Sequence, residues 1–376
     1  MTVYLDNSAT TPVCPEAAAA VTEALCENFG NPSSAHAPGR RARRSLEEAR
    51  RNVAAALSCR AEEIYFTSGG TEGDNIAIFG ACRQNRHFGK HIITTAAEHD
   101  AVLRPFAALE SDGYEVTYLK PGKDGSVSAE DFAAAVRPDT VFASVMAVNN
   151  ETGAVNDTLP MSLALKKANP RAVFHTDAVQ AFCKTGITPK TSGADLITVS
   201  SHKIHGPKGC GALFIKSGVK ISPVTKGGGQ EGNIRPGTEA TPAIFGFGAA
   251  SKLGAAQAET SAAHFKLLRS LLLSRVLENV GDAVVIGGGA DHILCLSLPG
   301  YRSEVLLNYL DGKGVYISKG SACKKGARSH VLTSMGIPAR VIDGAVRISF
   351  SRYNTEEEVS YAADMIVKAS KELIKV

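Results

Sequence analysis

Seven short apolar runs recur along the first 215 residues of the chain, separated by stretches of helical periodicity: "EIYFTS" (63–68), "HIITTA" (91–96), "YEVTYL" (114–119), "TVFASVMAV" (140–148), "AVFHTDA" (172–178), "DLITVSS" (195–201) and "GALFI" (211–215). A strand with one face in water alternates apolar and polar residues, whereas a strand apolar almost throughout has both faces covered. Such runs spaced by helices predict an α/β fold, a mostly parallel seven-stranded sheet with helices on both faces. In sheets of this kind ligands gather beyond the strand ends, in the loops that follow.

The helical patterns carry their own signals. "SLEEARRNVAAAL" (45–57) opens with Ser45 and Glu48 at capping-box spacing and sets Leu46, Ala49, Val53 and Leu57 on one face. A long helical pattern runs from about 245 to 280. It is followed by short strand patterns, "AVVIGG", "ILCLSLP", "VYISKG" and "AVRISFS", and by an amphipathic helix with Val359, Ala363, Ile366 and Leu373 on one stripe. The 376 residues therefore divide into a large domain, 14–255, and a smaller α+β domain made from 1–13 and 256–376, joined by the long helix.

Composition removes several function classes. The 41 basic and 37 acidic residues leave a net charge of +4, and the basic cluster "GRRARRSLEEARR" (39–51) reads as a solvated helix face, which leaves no argument for nucleic acid. "MTVYLDNSATTP" lacks the pattern of a secretory signal, and no apolar run reaches membrane-spanning length. The eight cysteines (14, 26, 59, 82, 183, 210, 295, 323) form no C-x-x-C pair, which argues against a zinc site or a disulfide framework and leads to the expectation of a reducing cytoplasm. Most read as small core residues, Cys183 among them.

The strand ends carry the chemistry. In "TSGGTEGDN" (67–75) a glycine turn opens a helix, leaving amides near Gly69, Gly70 and Thr71 free for a compact anion, although a bare strand-helix turn would read the same way. The spacing matches neither a P-loop nor G-x-G-x-x-G. Asp177 ends an apolar run, and a carboxylate there requires a partner: a protonated ring nitrogen, an arginine or several backbone amides. His99 and the asparagine pair of "AVNNETG" (147–153) follow two other runs, and each alone reads as structural. In "SSHKIHGPKGCGALF" (200–214) Lys203 sits where an apolar strand stops. Taken together, a phosphate-sized anion site, a flat ring, an amide, a carboxylate with Gln180 three residues on, and a desolvated lysine able to attack a carbonyl are the groups that pyridoxal phosphate requires at once.

"ADLITVSSHKIHGPKGCGAL" resembles the lysine signature of the class V aminotransferase family, within fold type I pyridoxal phosphate enzymes. "YLDNSATTP", "FGNPSSAH", "TSGGTEGDN", "AEHDAVL", "VNNETG", "HTDAVQA", "GGGQEGNIRPGT", "SKGSAC" and "VRISFSRY" resemble its cysteine desulfurase branch, in family order from residue 4 to 353. The resemblance implies that Lys203 carries the pyridoxal 5'-phosphate and that Asp177 pairs with its ring nitrogen. By the same likeness His99 stacks on the ring and acts in catalysis, Asn150 and Gln180 contact the ring's phenolic oxygen, and Gly70, Thr71, Ser200 and His202 bind the phosphate. Thr238 would reach the phosphate of the other subunit in a homodimer, and Asn31 and Arg347 would clamp the substrate carboxylate. No metal is implied.

Cys323 decides which reaction such a site runs. It lies in "SKGSACKKGARSHVL" (318–332), a stretch of glycine, serine and lysine typical of an exposed loop, and Lys319 with the two following lysines should favour its thiolate. The resemblance then implies conversion of L-cysteine to L-alanine with a persulfide left on Cys323, for transfer to an acceptor protein in iron–sulfur cluster assembly or thiolation. The alternatives are a selenocysteine lyase or cysteine β-lyase and, in another class, a non-catalytic relative. The chain departs from the pattern in three places. Lys319 stands where group I members usually have a second serine, the stretch after Cys323 is about two residues shorter than expected, and the end at "SKELIKV" leaves out a tail by which some relatives engage an iron–sulfur scaffold.

Overall fold

The computed structural model describes residues 1–319 and 328–375. After the two-residue strand β1 (Val3–Tyr4) come the seven expected strands: β2 (Ile64–Thr67), β3 (His91–Thr95), β4 (Glu115–Leu119), β5 (Thr140–Ser144), β6 (Val173–Asp177), β7 (Leu196–Ser200) and β8 (Gly211–Ile215). They form one sheet in the order β2-β8-β7-β6-β5-β3-β4. Pairing is parallel from β7 through β6, β5 and β3 to β4, while β8 runs antiparallel to both β7 and β2. Being antiparallel to the same strand, β2 and β7 point the same way. The carboxyl ends of β2, β3, β5, β6 and β7 therefore lie along one rim. The near-continuous apolar runs have the expected cause, since β3, β5, β6, β7 and β8 are buried along their whole length.

A second sheet, in the order β12-β10-β9, is antiparallel and built from β9 (Val284–Ile286), β10 (Ile293–Ser297) and β12 (Ala345–Ser349); β1 pairs in parallel with β11 (Val315–Tyr316). Its apolar residues, among them Leu294, Leu296 and Ile348, share a core with Val359, Ala363 and Ile366 of the last helix, Glu356–Glu372.

Two helical expectations change. The helix predicted from Ser45 starts eight residues earlier and spans Ala37–Leu57. His36 caps it, its ring accepting a hydrogen bond from the Gly39 amide, and the Ser45 hydroxyl instead accepts from Asn28 Nδ2. Leu46, Ala49, Val53 and Leu57 are buried as the periodicity required. The long pattern at 245–280 is two helices, Thr241–Ala256 and Ala258–Asn279, broken at Gln257. Each segment serves a different core. Ile244, Phe245, Phe247 and Ala250 pack with Val53, Leu57 and Phe66, whereas Phe265, Leu268, Leu272 and Val276 pack with Leu294, Leu296 and Ile348. A straight helix could not present both apolar faces to separate partners. Among the described residues no helix is long and apolar enough to cross a membrane.

The helix Thr241–Ala256 approaches Ala37–Leu57 closely through glycine. A Cβ on Gly248 would lie 2.6 Å from the Ala49 Cα, a backbone atom that no side-chain rotation can move aside. Gly248→Ala should therefore destabilise the fold by about 1–3 kcal/mol despite alanine's better helix propensity. Urea unfolding should show a lower midpoint at unchanged slope, and an unchanged or higher midpoint would contradict this packing.

Candidate active site

The shared rim of strand ends opens on a cavity of about 390 Å³. Each strand contributes the residue that follows it, because a chain leaving a parallel strand must turn there before its crossover helix. After β2 comes Gly70, after β3 His99, after β5 Asn150, at the end of β6 Asp177, and after β7 Lys203; all five line the cavity. Thr71, Gln180, Ser200, His202 and Arg347 line it as well, so all but three of the site residues expected from sequence converge here.

At the β2 end the helix Gly70–Asn85 points its first amides at the cavity, and the first intrahelical bond from this turn is Gly73 N to Gly69 O. The Gly70 and Thr71 amides thus have no acceptor within the helix. A Cβ on Gly70 would come 2.9 Å from Val179 Cγ2, so the backbone at the turn stays bare. The Ser200 hydroxyl is buried with no hydrogen-bond partner among the described residues. Two free amides and an orphaned hydroxyl at a helix N-terminus form a cradle for a phosphate-sized anion. Burial pushes the nearby His202 imidazole down to about 4, and its Nδ1 lies 3.2 Å from Thr10 Oγ1, so the ring is neutral.

Asp177 accepts a hydrogen bond from the Val179 amide at 2.8 Å on one oxygen. Burial raises its pKa above the usual carboxylate range, although the charges of His99 and Lys203 oppose the rise. Two further buried carboxyl groups, Asp74 and Glu98, are raised by burial and by Asp177 itself, Glu98 to about 8. A carboxylate held in such surroundings gains most from a cation placed against it. His99 caps the helix Asp100–Ser111, its Nδ1 accepting from the Ala101 amide at 3.1 Å. That bond makes Nδ1 the acceptor and fixes the ring plane with it.

Lys203 ends the single helical turn Ser201–Lys203, between β7 and the loop to β8. Its amine donates to the carbonyls of Ser8 and Ala9, at 2.6 and 2.7 Å. Burial, then the charge of Arg347, pushes the amine down to about 8, against the attraction of Asp6 and Asp177. Gln180 Nε2 donates to the same Ser8 carbonyl at 3.0 Å. Arg347, 4% exposed, lies on β12 and reaches across from the second sheet. It donates from Nη2 to Asp6 Oδ1 at 2.7 Å and from Nη1 to the Asn150 carbonyl at 2.9 Å, and its Nε has no partner among the described residues.

Three expectations remain. Cys323 lies outside the described residues. Thr238 is exposed and outside this cavity, and so is Asn31, whose Oδ1 accepts from the Ser33 amide. Asn31 thus closes its own turn and does not line the cavity with Arg347. The expected help from Lys319 to a thiolate is also revised, because its amine pairs with Glu304 at 2.9 Å. Sequence reasoning missed Asp6, Ser8 and Ala9 as individual contributors, although the block "YLDNSATTP" contains them. It also missed Glu151 and His330. Glu151 is buried and accepts from Ser329 Oγ at 2.5 Å, and both Glu151 and His330 line the cavity.

Residues 3–361 match the Aminotransferase class-V family. The chain is 42% identical to the cysteine desulfurase IscS of Methanosarcina thermophila over 99% of its own length and 92% of that protein. Its fold superposes on a solved NifS-like protein with a TM-score of 0.93 at 36% identity, covering 99% of this chain and all of the other. The structure of SspA in complex with cysteine matches with a TM-score of 0.81 at 30% identity, covering 94% of this chain and all of that one. The chain belongs to the class V aminotransferase family, enzymes dependent on pyridoxal 5'-phosphate, on its cysteine desulfurase branch.

The charge balance around Lys203 is measurable. Labelling of Lys203 by an amine-reactive anhydride in the cofactor-free protein, followed by mass spectrometry, should rise with pH through a midpoint near 8, well below the 10.5 of an ordinary lysine. Asp6→Asn removes a carboxylate that favours the ammonium form and should move the midpoint lower still. A midpoint near that of an ordinary lysine would contradict the burial of the amine.

Proposed function

We propose that the chain converts L-cysteine to L-alanine and leaves the sulfur as a persulfide on Cys323. The observation that carries this reading is the meeting, in one cavity, of the depressed Lys203 amine, the buried Asp177 carboxyl and the Arg347 guanidinium. Pyridoxal 5'-phosphate, once bound, supplies an electron sink that lets bonds around the substrate's α-carbon break.

Lys203 Nζ would hold the cofactor and would be the base that takes and returns the substrate's α-proton; an amine titrating near 8 can do both at neutral pH. Asp177 would hold the cofactor's ring nitrogen, and a cation there would offset the cost of a carboxylate buried near Asp74 and Glu98. His99 would pack against the ring, oriented by its bond to the Ala101 amide. Asn150 and Gln180 would bind the ring's oxygen, and the Gly70 and Thr71 amides, Ser200 Oγ and His202 would hold the phosphate. Arg347 takes the substrate carboxylate, exchanging or sharing its pairing with Asp6. The Cys323 thiolate attacks the substrate's sulfur, so that the new S–S bond forms as the substrate's C–S bond breaks and the electron pair stays with carbon. Protonation of that carbon completes alanine.

The rest of the reading follows the family. Residues 14–255 form the large cofactor-binding domain, and 1–13 with 256–376 the small domain carrying the Cys323 loop. The chain works in the cytoplasm as a homodimer in which Thr238 serves the other subunit's phosphate. The persulfide sulfur passes to an acceptor protein in iron–sulfur cluster assembly or thiolation.

The test is alanine released from L-cysteine in the presence of a reductant. Wild type should produce it, whereas Cys323→Ser should keep the cofactor's visible absorbance and lose nearly all alanine production. Equal alanine from the variant would make the loop cysteine incidental and turn the reading toward a selenocysteine lyase.

A further inference from the structure

Lys203 also forms part of the wall of a second, much smaller cavity, of about 20 Å³, bounded by Cys183, Lys184, His205, Ser351 and Arg352. Its walls carry cations without counter-charges. The Lys184 amine makes one hydrogen bond, to Gln180 Oε1 at 3.5 Å, the outer limit of such a bond. Arg352 lies over the Tyr353 ring at 5.2 Å, and its Nε and Nη2 are shielded from solvent with no hydrogen-bond partner among the described residues. Neither residue has a carboxylate partner among the described residues. Residues 320–327, "GSACKKGA", contain no acidic side chain either.

The other groups on the wall do not supply the missing charge. His205 is pushed down to about 4 by burial and is neutral, its Nδ1 donating to the Pro12 carbonyl at 3.0 Å. Burial pushes the Cys183 thiol up to about 12, so it faces the cluster as a neutral S–H. Burial lowers the Lys184 amine to about 7, which lets it shed its proton part of the time, but a guanidinium has no such escape. A guanidinium with two buried unbonded donors is costly unless an anion meets them. The cavity has room for one single-centre ion and none for a carboxylate or sulfate.

We propose that this cavity is a binding site for a small monovalent anion, a halide or hydrosulfide, held by Arg352 and Lys184 beside the Lys203 turn. Both sources offer the same chemistry, one compact negative centre accepting from N–H donors. Hydrosulfide is also the form in which a reductant releases a persulfide's outer sulfur, so the site would let the enzyme sense its own released sulfur. An anion there opposes loss of the proton from Lys203.

Two measurements on the holoenzyme test this. Crystals soaked in sodium bromide should show an anomalous peak within hydrogen-bond reach of Arg352 and Lys184. At constant ionic strength, the thermal midpoint should be a few degrees higher in chloride than in gluconate, which is too large for the cavity. That rise should vanish in Arg352→Gln and survive in Arg352→Lys. Repeating the melts with hydrosulfide in place of chloride decides the source: the ion that saturates the rise at lower concentration is the natural ligand. If Arg352→Gln does not fold, the bromide position in wild type and the loss of the rise in Lys184→Met carry the test. No bromide in the cavity, or equal midpoints in chloride and gluconate, would overturn the proposal. A carboxylate of a second subunit reaching into the cluster would produce that second result.

Discussion

A lysine amine cannot lie inside a protein unless something accepts its hydrogen bonds, and for Lys203 the acceptors are the carbonyls of Ser8 and Ala9, nearly two hundred residues away in sequence. That requirement fixes the path of the N-terminal segment. Asn7 and Ser8 are tied in turn to Ser349 on β12, and Asp6 pairs with Arg347 on the same strand. The segment therefore links the β7 end of the large sheet to the second sheet. One short stretch of backbone thus sets the distance between the lysine that would hold the cofactor and the arginine that would hold the substrate.

Around this link the cavity keeps its fixed charges low. Burial raises the Asp177, Asp74 and Glu98 carboxyls and lowers the Lys203 amine, and all four shifts favour the neutral forms. Arg347 keeps its charge and is paired with Asp6. A cavity prepared in this way gains charge pairs when a ligand with a cationic ring nitrogen and an anionic tail arrives. The helix N-terminus at Gly70 supplies positive potential without any titratable group, so the tail's binding does not depend on protonation.

Much of this could be read in the chain. The seven strands were legible because burial on both faces leaves almost no polar residue in them, and the strand ends were legible because each carries one chemically distinct residue. The helix start was not. Ser45 and Glu48 have capping-box spacing by chance inside a helix, and the true cap, His36, lies before an Ala-Pro-Gly run that looks like a loop. The break at Gln257 was hidden because apolar residues continue through it; only the existence of two cores requires it. The roles of Ser8 and Ala9 were invisible for a different reason, since they act through backbone carbonyls and any residue type would leave the same trace. Lys319 reads in the sequence as a source of positive field, but Glu304, fifteen residues earlier on the helix Ser303–Asp311, pairs with it.

The most direct measurement is to load the protein with pyridoxal 5'-phosphate, reduce it with borohydride and locate the resulting covalent adduct by peptide mass spectrometry. The adduct should be found on Lys203 alone, and Lys203→Ala should give none. An adduct on another lysine, Lys184 above all because its amine also titrates near neutrality, would mean that the strand-end amine held by Ser8 and Ala9 is not the group around which the site is built.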